Sequence, residues 1–257
     1  SQQKAVNLDQ VFEPIDSGKK SSDARTVQMT EYLKMKPART AVFLLISCLL
    51  APAAMAKNDS LPEVTEQGLH RVPDSRLAVV YAEPGADLSI YDSVKIVDVY
   101  VAFKKNWERD HNRSASSLST RVKPRDMERI KTSLAEQFHD VFSEVLTEGG
   151  YQVTEETGEN ILLVRPAIID LDPEAPDITS ATATRTYTRS AGEMSLYIEL
   201  YDSLTGDLIA KALDKRVDRS NADWLTWSNR ASNTAAAKRI LKGWAEILRD
   251  ALDEARQ

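Results

Sequence analysis

Two long segments of the chain carry apolar residues at helical spacing. In the first, Pro124 stands at the first turn and Gly149-Gly150 follow the last apolar residue, as expected at the two ends of a helix. Residues 233–255 show a second stripe of the same period. We therefore predict two amphipathic helices, and their apolar positions are Met127, Ile130, Leu134, Phe138, Val141, Phe142 and Val145 in the first, and Ile240, Leu241, Trp244, Ile247, Leu248, Ala251 and Leu252 in the second.

Other segments alternate between apolar and polar residues or are continuously apolar, as strands do. The alternation predicts one strand over residues 94–103, a short one at 151–153 and a hairpin in which 193–201 and 208–217 flank a turn at 202–207. Residues 161–171 are nearly continuously apolar and predict a central strand, whereas the threonine-rich segment 178–190 indicates an edge strand or a flexible excursion. Residues 106–122 are polar and predict a surface loop.

Two amphipathic helices need a sheet face to cover, so the fold class predicted is α+β. We expect a two-layer sandwich with a mostly antiparallel sheet and both helices on one face. The domain is predicted over residues 77–257, after a polar linker at 57–76 that contains Pro62 and Pro73.

Residues 35–56 have the pattern of an export signal. Lys36 and Arg39 precede an apolar run, Pro52 follows it, and Ala54 and Ala56 are the small residues that a signal peptidase recognises. An uncleaved membrane anchor is an alternative, although the apolar run is shorter than the ~20 residues of a spanning helix. Cleavage after Ala56 would release the domain into the periplasm.

Cys48 leaves a second outcome open. Residues 45–48 (Leu-Ile-Ser-Cys) resemble a lipobox, in which the cysteine is lipidated and anchors the protein to the outer membrane, facing the periplasm. Against this, the apolar run continues past Cys48, and a cysteine is a common small hydrophobe in such a run. Residues 1–34 are polar and unpatterned, which predicts either a disordered tail or an over-extended gene start.

The charge balance argues against nucleic acid as a partner. The chain has 33 Lys and Arg against 39 Asp and Glu, and residues 1–56 hold 7 and 5 of these, so the remainder carries a net charge of −8. Nucleic-acid binding needs a basic face. The same negative charge does not favour binding to an anionic membrane surface. A membrane contact is therefore expected only through a lipid on Cys48.

Asp170, Asp172 and Asp177 form the best candidate group of catalytic or metal-ligating carboxylates. Carboxylates can hold a hard cation or perform acid–base hydrolysis. The segment has two prolines and no glycine, however, which suits a turn better than a calcium loop. His70, His111 and His139 have no metal-binding spacing, and we expect them to be exposed. We predict no metal, cofactor or catalytic residue.

Trp224, Trp227 and Arg230 are the strongest candidates for a partner-binding surface. Tryptophan and arginine are enriched among the residues that dominate binding energy at interfaces. Alternatively, the two tryptophans hold the segment before the last helix against the core. The Arg185 to Arg189 segment (Arg-Thr-Tyr-Thr-Arg) is a weaker candidate contact face.

Several short motifs, in order, resemble one known family. They include residues 84–94, Gly150-Tyr151, residues 165–177, the turn at 201–206 and residues 227–230 leading into the last helix. This succession over residues 69–253 resembles the domain-of-unknown-function family numbered 3313, an exported and often lipoprotein-like bacterial family. The resemblance implies a Gram-negative envelope location and brings no catalytic residues.

We expect from the sequence a non-enzymatic envelope module that binds another envelope protein or component. The alternative is a periplasmic hydrolase that uses carboxylates between Asp170 and Asp177. The sequence predicts neither an oligomeric state nor a ligand.

Overall fold

A computed structural model describes residues 61–115, 118, 121–173, 186–188, 192–217, 226–228 and 230–257. For residues 114, 186–188, 226–228 and 230–233 it describes the backbone alone. Cys48, Ala54, Ala56, Asp177 and Trp224 lie outside the described residues, and so do the segments predicted as an N-terminal extension and an export signal.

The described residues form ten strands and three α-helices. In chain order these are β1 (His70–Arg71), β2 (Val79–Ala82), β3 (Ser93–Ile96), β4 (Tyr100–Phe103), α1 (Trp107–Ser114), α2 (Pro124–Glu148), β5 (Gln152–Val153), β6 (Ile161–Pro173), β7 (Thr186–Thr188), β8 (Gly192–Asp202), β9 (Leu208–Val217), β10 (Thr226–Ser228) and α3 (Arg230–Ala255). A 3₁₀ turn (Leu88–Ile90) precedes β3. The chain is therefore α+β, as predicted.

Eight strands form one mixed sheet in the order β1-β2-β9-β8-β6-β3-β5, with β4 pairing β6 beyond the end of β3. The pairs β1–β2, β2–β9, β9–β8 and β8–β6 are antiparallel. Strands β3 and β4 both run parallel to β6, and β5 runs parallel to β3. The prediction of a mostly antiparallel sheet is not confirmed. The difference arises because helix α2 returns the chain between β4 and β5, and such a crossover allows parallel pairing.

The strand predicted over residues 94–103 is in fact two strands. Ile96 pairs with Val164 and Tyr100 pairs with Ala167. The residues between β3 and β4, which lie beside Pro166, therefore form no strand pairing with β6. Pro166 has no N–H to donate, and the break in the neighbouring strand lies where that donor is missing. A proline is thereby tolerated inside the central strand β6.

Both long helices contribute to one hydrophobic core with the sheet. Phe138 and Phe142 of α2 and Leu241 and Leu252 of α3 are fully buried, as is Val164 of β6. Helix α2 has the predicted bounds. Its C-terminus is closed by Gly150 N–H to the Thr147 carbonyl (3.0 Å) and Tyr151 N–H to the Leu146 carbonyl (3.0 Å), a Schellman motif.

Residues 61–76, predicted as a linker, contain part of the fold. Leu69 is only 2% exposed, β1 pairs with β2, and the Tyr81 hydroxyl donates to the Pro62 carbonyl (2.8 Å). Ordered structure therefore begins before Leu77. The polar residues that suggested a linker belong to a segment that lies along the β2 edge of the sheet.

Candidate interaction surface at one end of the sheet

Four strands of the main sheet end or begin together at one end, which we call the ribbon end. Strands β4, β6 and β9 end there, and β8 begins there. Strand β4 runs parallel to β6, whereas β8 runs antiparallel to both of its neighbours, β6 and β9. Two excursions of the chain leave the sheet at this end, one between β6 and β8 and the other between β9 and α3. In the described part of each excursion there is one short strand.

These two strands, β7 and β10, pair antiparallel to form a separate two-stranded ribbon. Trp227 lies opposite Tyr187, Thr226 opposite Thr188 and Ser228 opposite Thr186. The structure thus joins two segments that the sequence suggested separately as contact faces, one around Trp227 and the other around Tyr187. Arg230 is the first residue of α3, directly after the ribbon.

Four charged side chains at the ribbon end form a charge row, in which contacts between opposite charges link Asp172, Lys104, Glu193 and Lys215 in that order. The Lys104 ammonium donates to Asp172 Oδ2 (2.6 Å) and lies 3.5 Å from Glu193 Oε1, to which Lys215 also donates (2.9 Å). The contact with Asp172 raises the pKa of Lys104, and the contact with Lys215, helped by Lys104, lowers the pKa of Glu193. Each of the two carboxylates is therefore paired with a lysine.

Asp170 and Asp172, two of the three predicted carboxylates, both lie near the end of β6. Asp170 stands at a bulge in β6, where the register with β8 shifts between Ile169 and Asp172, and its φ is 52°. A β-bulge accounts for the positive φ of Asp170 and for the register shift, so neither feature requires a bound ligand. Among the described residues, no group of three His, Cys, Asp or Glu side chains is placed to hold a metal ion.

The polar segment after β4, predicted as a surface loop, begins with helix α1. The rings of Phe103 and Trp107 stack with centroids 4.5 Å apart, and Trp107 stacks with His111 at 5.3 Å. The Asn112 amide bonds both the N–H and the carbonyl of Val122. Trp107 is buried and His111 is half-buried, so the prediction of an exposed loop with an exposed His111 is wrong. Burial lowers the pKa of His111.

The sequence analysis also missed a buried cluster of polar side chains in the middle of the sheet. Glu199 of β8 is 8% exposed and accepts hydrogen bonds from the hydroxyls of Tyr197 (2.6 Å) and Tyr201 (2.9 Å). Arg165 lies opposite it on β6, with Nη1 3.6 Å from Glu199 Oε2. Burial and the Glu199 charge raise the pKa of Tyr201 to about 12. Alternation along β8 could have shown these residues to share a face, but the pairing with Arg165 depends on sheet register.

The sequence motifs and the fold can now be compared with known proteins. The model of the family described as a protein of unknown function, DUF3313, matches residues 64–248. The chain belongs to this family. The matched region starts within the segment before β1 and ends in α3, so it covers the sheet, the ribbon, α1, α2 and most of α3. No curated protein sequence matches the chain.

Among solved structures, a PelC dodecamer from Paraburkholderia phytofirmans is 12% identical with a TM-score of 0.33, covering 66% of this chain and 96% of that one. A minor lipoprotein from Acinetobacter baumannii is 8% identical with a TM-score of 0.29, covering 65% and 94%. A DUF4136 family protein from Bacteroides thetaiotaomicron is 12% identical with a TM-score of 0.32, covering 66% and 94%.

Within the part of the chain that the structure describes, no helix is both long enough and apolar enough to cross a membrane.

Proposed function

We propose that the protein is a non-enzymatic binding or accessory module of the bacterial cell envelope and that it works in the periplasm. Residues 35–56 support the location, because their basic start, apolar run and small residues before position 57 match an export signal. Retention at the outer membrane through a lipid on Cys48 is the alternative form of the same proposal.

One observation carries the binding role: the ribbon of β7 and β10. It places the two segments of contact-type composition side by side, outside the main sheet, with Trp227 opposite Tyr187. Large aromatic residues contribute much of the binding energy at protein interfaces. The ribbon is therefore our candidate for the surface that contacts another envelope protein or component.

The charge row supports a binding role over hydrolysis. Asp172 and Glu193 each accept a hydrogen bond from a lysine, and the lowered pKa of Glu193 keeps it ionised. An acid catalyst would need the opposite shift. The net charge of −8 outside residues 1–56 makes nucleic acid a poor partner.

The scaffold we propose beneath this surface is a two-layer sandwich with both long helices on one face of the sheet. Supporting it, Phe138 of α2 and Trp244 of α3 belong to the same core as alternate residues of β6 and β8.

Site-specific photo-crosslinking in living cells tests the binding role. A photoreactive amino acid is placed at Tyr187 or at Trp227, and, as a matched control, at Leu204, which is 59% exposed in the β8–β9 turn at the opposite end of the sheet. We expect discrete adducts with an envelope component from the two ribbon positions and none from Leu204. Absence of adducts from the ribbon, or the same adducts from all three positions, would contradict the proposal.

A further inference from the structure

The charge of the domain is divided unevenly along the chain. Residues 104–131 hold nine Lys and Arg against four Asp and Glu, a net charge of +5. The other residues after position 56 hold 17 and 30 of these, a net charge of −13. The segment 104–131 starts directly after β4 at the ribbon end and comprises α1, the connection to α2 and the first two turns of α2. The overall charge of −8, which argues against an anionic surface as a partner, therefore conceals a basic region.

The opposite end of the sheet carries the reverse charge. Residues 83–92, 154–160 and 202–207 connect strands there, next to the ends of β2 and β8 and the starts of β3, β6 and β9. These three connections hold eight Asp and Glu and no Lys or Arg. Because the two ends differ in sign, an anionic surface attracts the end that carries residues 104–131 and repels the other end.

Packing fixes α1 and the start of α2 beside each other. Trp107 is buried and stacks on Phe103 of β4, with ring centroids 4.5 Å apart. The Asn112 side chain donates to the Val122 carbonyl (2.9 Å) and accepts from the Val122 N–H (2.8 Å), and Val122 is only 2% exposed. The fold therefore holds the basic residues of these two segments near each other.

Three exposed cations adjoin the contact between Asn112 and Val122. Arg113 follows Asn112 in α1, and Arg121 and Lys123 stand on either side of Val122. The three belong to one surface, which we call the basic cluster. Cations brought this close repel each other, and a bound anionic group would remove that cost.

Several other cations of the segment are neutralised within the chain, but those of the basic cluster are not. Lys104, Arg109, Arg129 and Lys131 contact the carboxylates of Asp172, Asp110, Asp126 and Glu128 respectively. The basic cluster, Lys105 and Arg125 have no ion pair among the described residues. Arg125 lies in the first turn of α2, where a cation opposes the helix macrodipole. Internal ion pairing and helix stability therefore do not explain why these cations are there.

An exposed apolar side chain lies in the same connection. Leu118 is 75% exposed and stands between Arg113 and Arg121 in the sequence. Basic residues around an exposed apolar one are typical of segments that lie on a membrane surface, where the apolar side chain enters the interface and the cations contact anionic headgroups. This combination favours a lipid surface over a soluble polyanion, which offers no apolar layer for Leu118.

We propose that the basic cluster binds the surface of an anionic phospholipid membrane, with Leu118 in the interface and the acidic end of the sheet directed away from it. The proposal rests on the envelope location proposed above and adds a second surface to the ribbon. Each Lys or Arg near such a surface strengthens binding about fivefold, so three provide about a hundredfold. A single lipid chain on Cys48 would anchor the protein only marginally, and a basic surface is a common second contribution.

Vesicle sedimentation of the purified Cys48→Ser protein, which cannot be lipidated at that position, tests the binding. The vesicles consist of phosphatidylcholine, with or without roughly one-third phosphatidylglycerol. We expect at least about tenfold tighter binding to the anionic vesicles, and loss of that preference as NaCl rises from about 0.05 M to about 0.5 M, because salt screens exposed charges. The measurement depends neither on crosslinks from the ribbon nor on where the protein lies in the cell, so this proposal and the proposed function can fail separately.

Two double variants with the same change of charge locate the contact. Arg113→Gln with Arg121→Gln removes two cations of the basic cluster, whereas Lys95→Gln with Lys211→Gln removes two from β3 and β9. We expect the first pair to weaken binding to anionic vesicles at least about tenfold and the second pair by less than about twofold. Equal weakening by the two pairs, or a wild-type protein that binds both kinds of vesicle equally, would overturn the proposal.

A fluorescence measurement tests the orientation. In the Cys48→Ser background, which removes the chain's single cysteine, Leu118→Cys and Leu204→Cys are each labelled with an environment-sensitive dye. Leu204 is the control, because it is 59% exposed at the acidic end of the sheet. We expect anionic vesicles to shift the emission to the blue at position 118 and to leave position 204 unchanged.

The same shift at both positions, or no shift at position 118 while the protein is bound, would contradict the proposed orientation and the role of Leu118. Binding to heparin in solution without binding to anionic vesicles would refute the membrane contact and indicate a soluble polyanion instead.

Discussion

Glu199 illustrates how much one buried carboxylate determines on its face of the sheet. Its two oxygens accept from Tyr197 and Tyr201, and Arg165 supplies the opposite charge. Removing one member of such a group leaves the others with unsatisfied polar atoms, which is costly in a buried setting. We therefore expect these four side chains to stabilise the pairing of β6 with β8.

This group predicts a loss of stability in alkali. Burial first, and the Glu199 charge second, raise the pKa of Tyr201 to about 12 from an ordinary value near 10. The folded state keeps the phenol protonated where the unfolded chain loses the proton, so the stabilisation is complete below about pH 10 and is lost between about pH 10 and 12. Tyr151, whose pKa is also raised to about 12, contributes in the same range.

Urea unfolding at a series of pH values between 8 and 12 measures this loss. Tyr201→Phe should reduce the fall in unfolding free energy over that range by about 1–2 kcal/mol, after allowance for partial exposure. Glu199→Gln, which keeps the phenol and removes the charge, should reduce it by less, because burial is the larger cause. An unchanged fall in Tyr201→Phe would show that this phenol is not the titrating group.

At the scale of single elements, strand β6 leaves no room for a side chain at the start of β8. Gly192 has φ of 129°, and a Cβ added there would lie 2.6 Å from the Asp172 carbonyl oxygen and 2.8 Å from the Pro173 Cα. Both are backbone atoms at the end of β6, beyond its bulge. Neither can move without disturbing the ladder that closes the ribbon end.

Gly192→Ala should therefore destabilise the protein by about 3 kcal/mol or more, because a left-handed backbone strain is added to a steric overlap. Gly85→Ala is the control: Gly85 also has a positive φ (79°), but nothing lies within 4 Å of its added Cβ. We expect about 1 kcal/mol there. Thermal or denaturant unfolding of both variants gives the comparison, and equal costs would refute the role of the close contact.

The elements that the sequence predicted well are those set by local pattern. Helix α2 has a continuous apolar stripe, a proline at its start and two glycines at its end, and the β8–β9 hairpin has alternation on both sides of a short turn. Helix α1 was missed because its residues are almost all polar. Its stability comes from contacts with other elements, the Trp107–Phe103 stack and the Asn112 bonds to Val122.

The interaction surface was predictable only in parts. Trp227 and the segment around Tyr187 were each identifiable by composition, but the pairing of positions 40 residues apart in sequence depends on the fold. The charge row likewise draws one residue from each of four strand ends, so Asp172 was visible as a carboxylate and its lysine partners were not. Long-range register is the information that a single sequence lacks.

At the scale of the whole molecule, the family and the fold extend over the same part of the chain. The family model covers residues 64–248, and the described residues of that region form an α+β fold around a hydrophobic core. Location rests instead on residues 35–56. The proposed periplasmic role and the binding of another envelope component both require that this domain be exported.

The intact mass of the protein recovered from a Gram-negative host, measured separately for the envelope and cytoplasmic fractions, tests that requirement most directly. We predict a chain in the envelope fraction that begins at Lys57, after cleavage behind Ala56. A chain that begins at an acylated Cys48 would still be exported and would establish the lipid-anchored form. A chain found only in the cytoplasm with residues 35–56 intact would contradict the account.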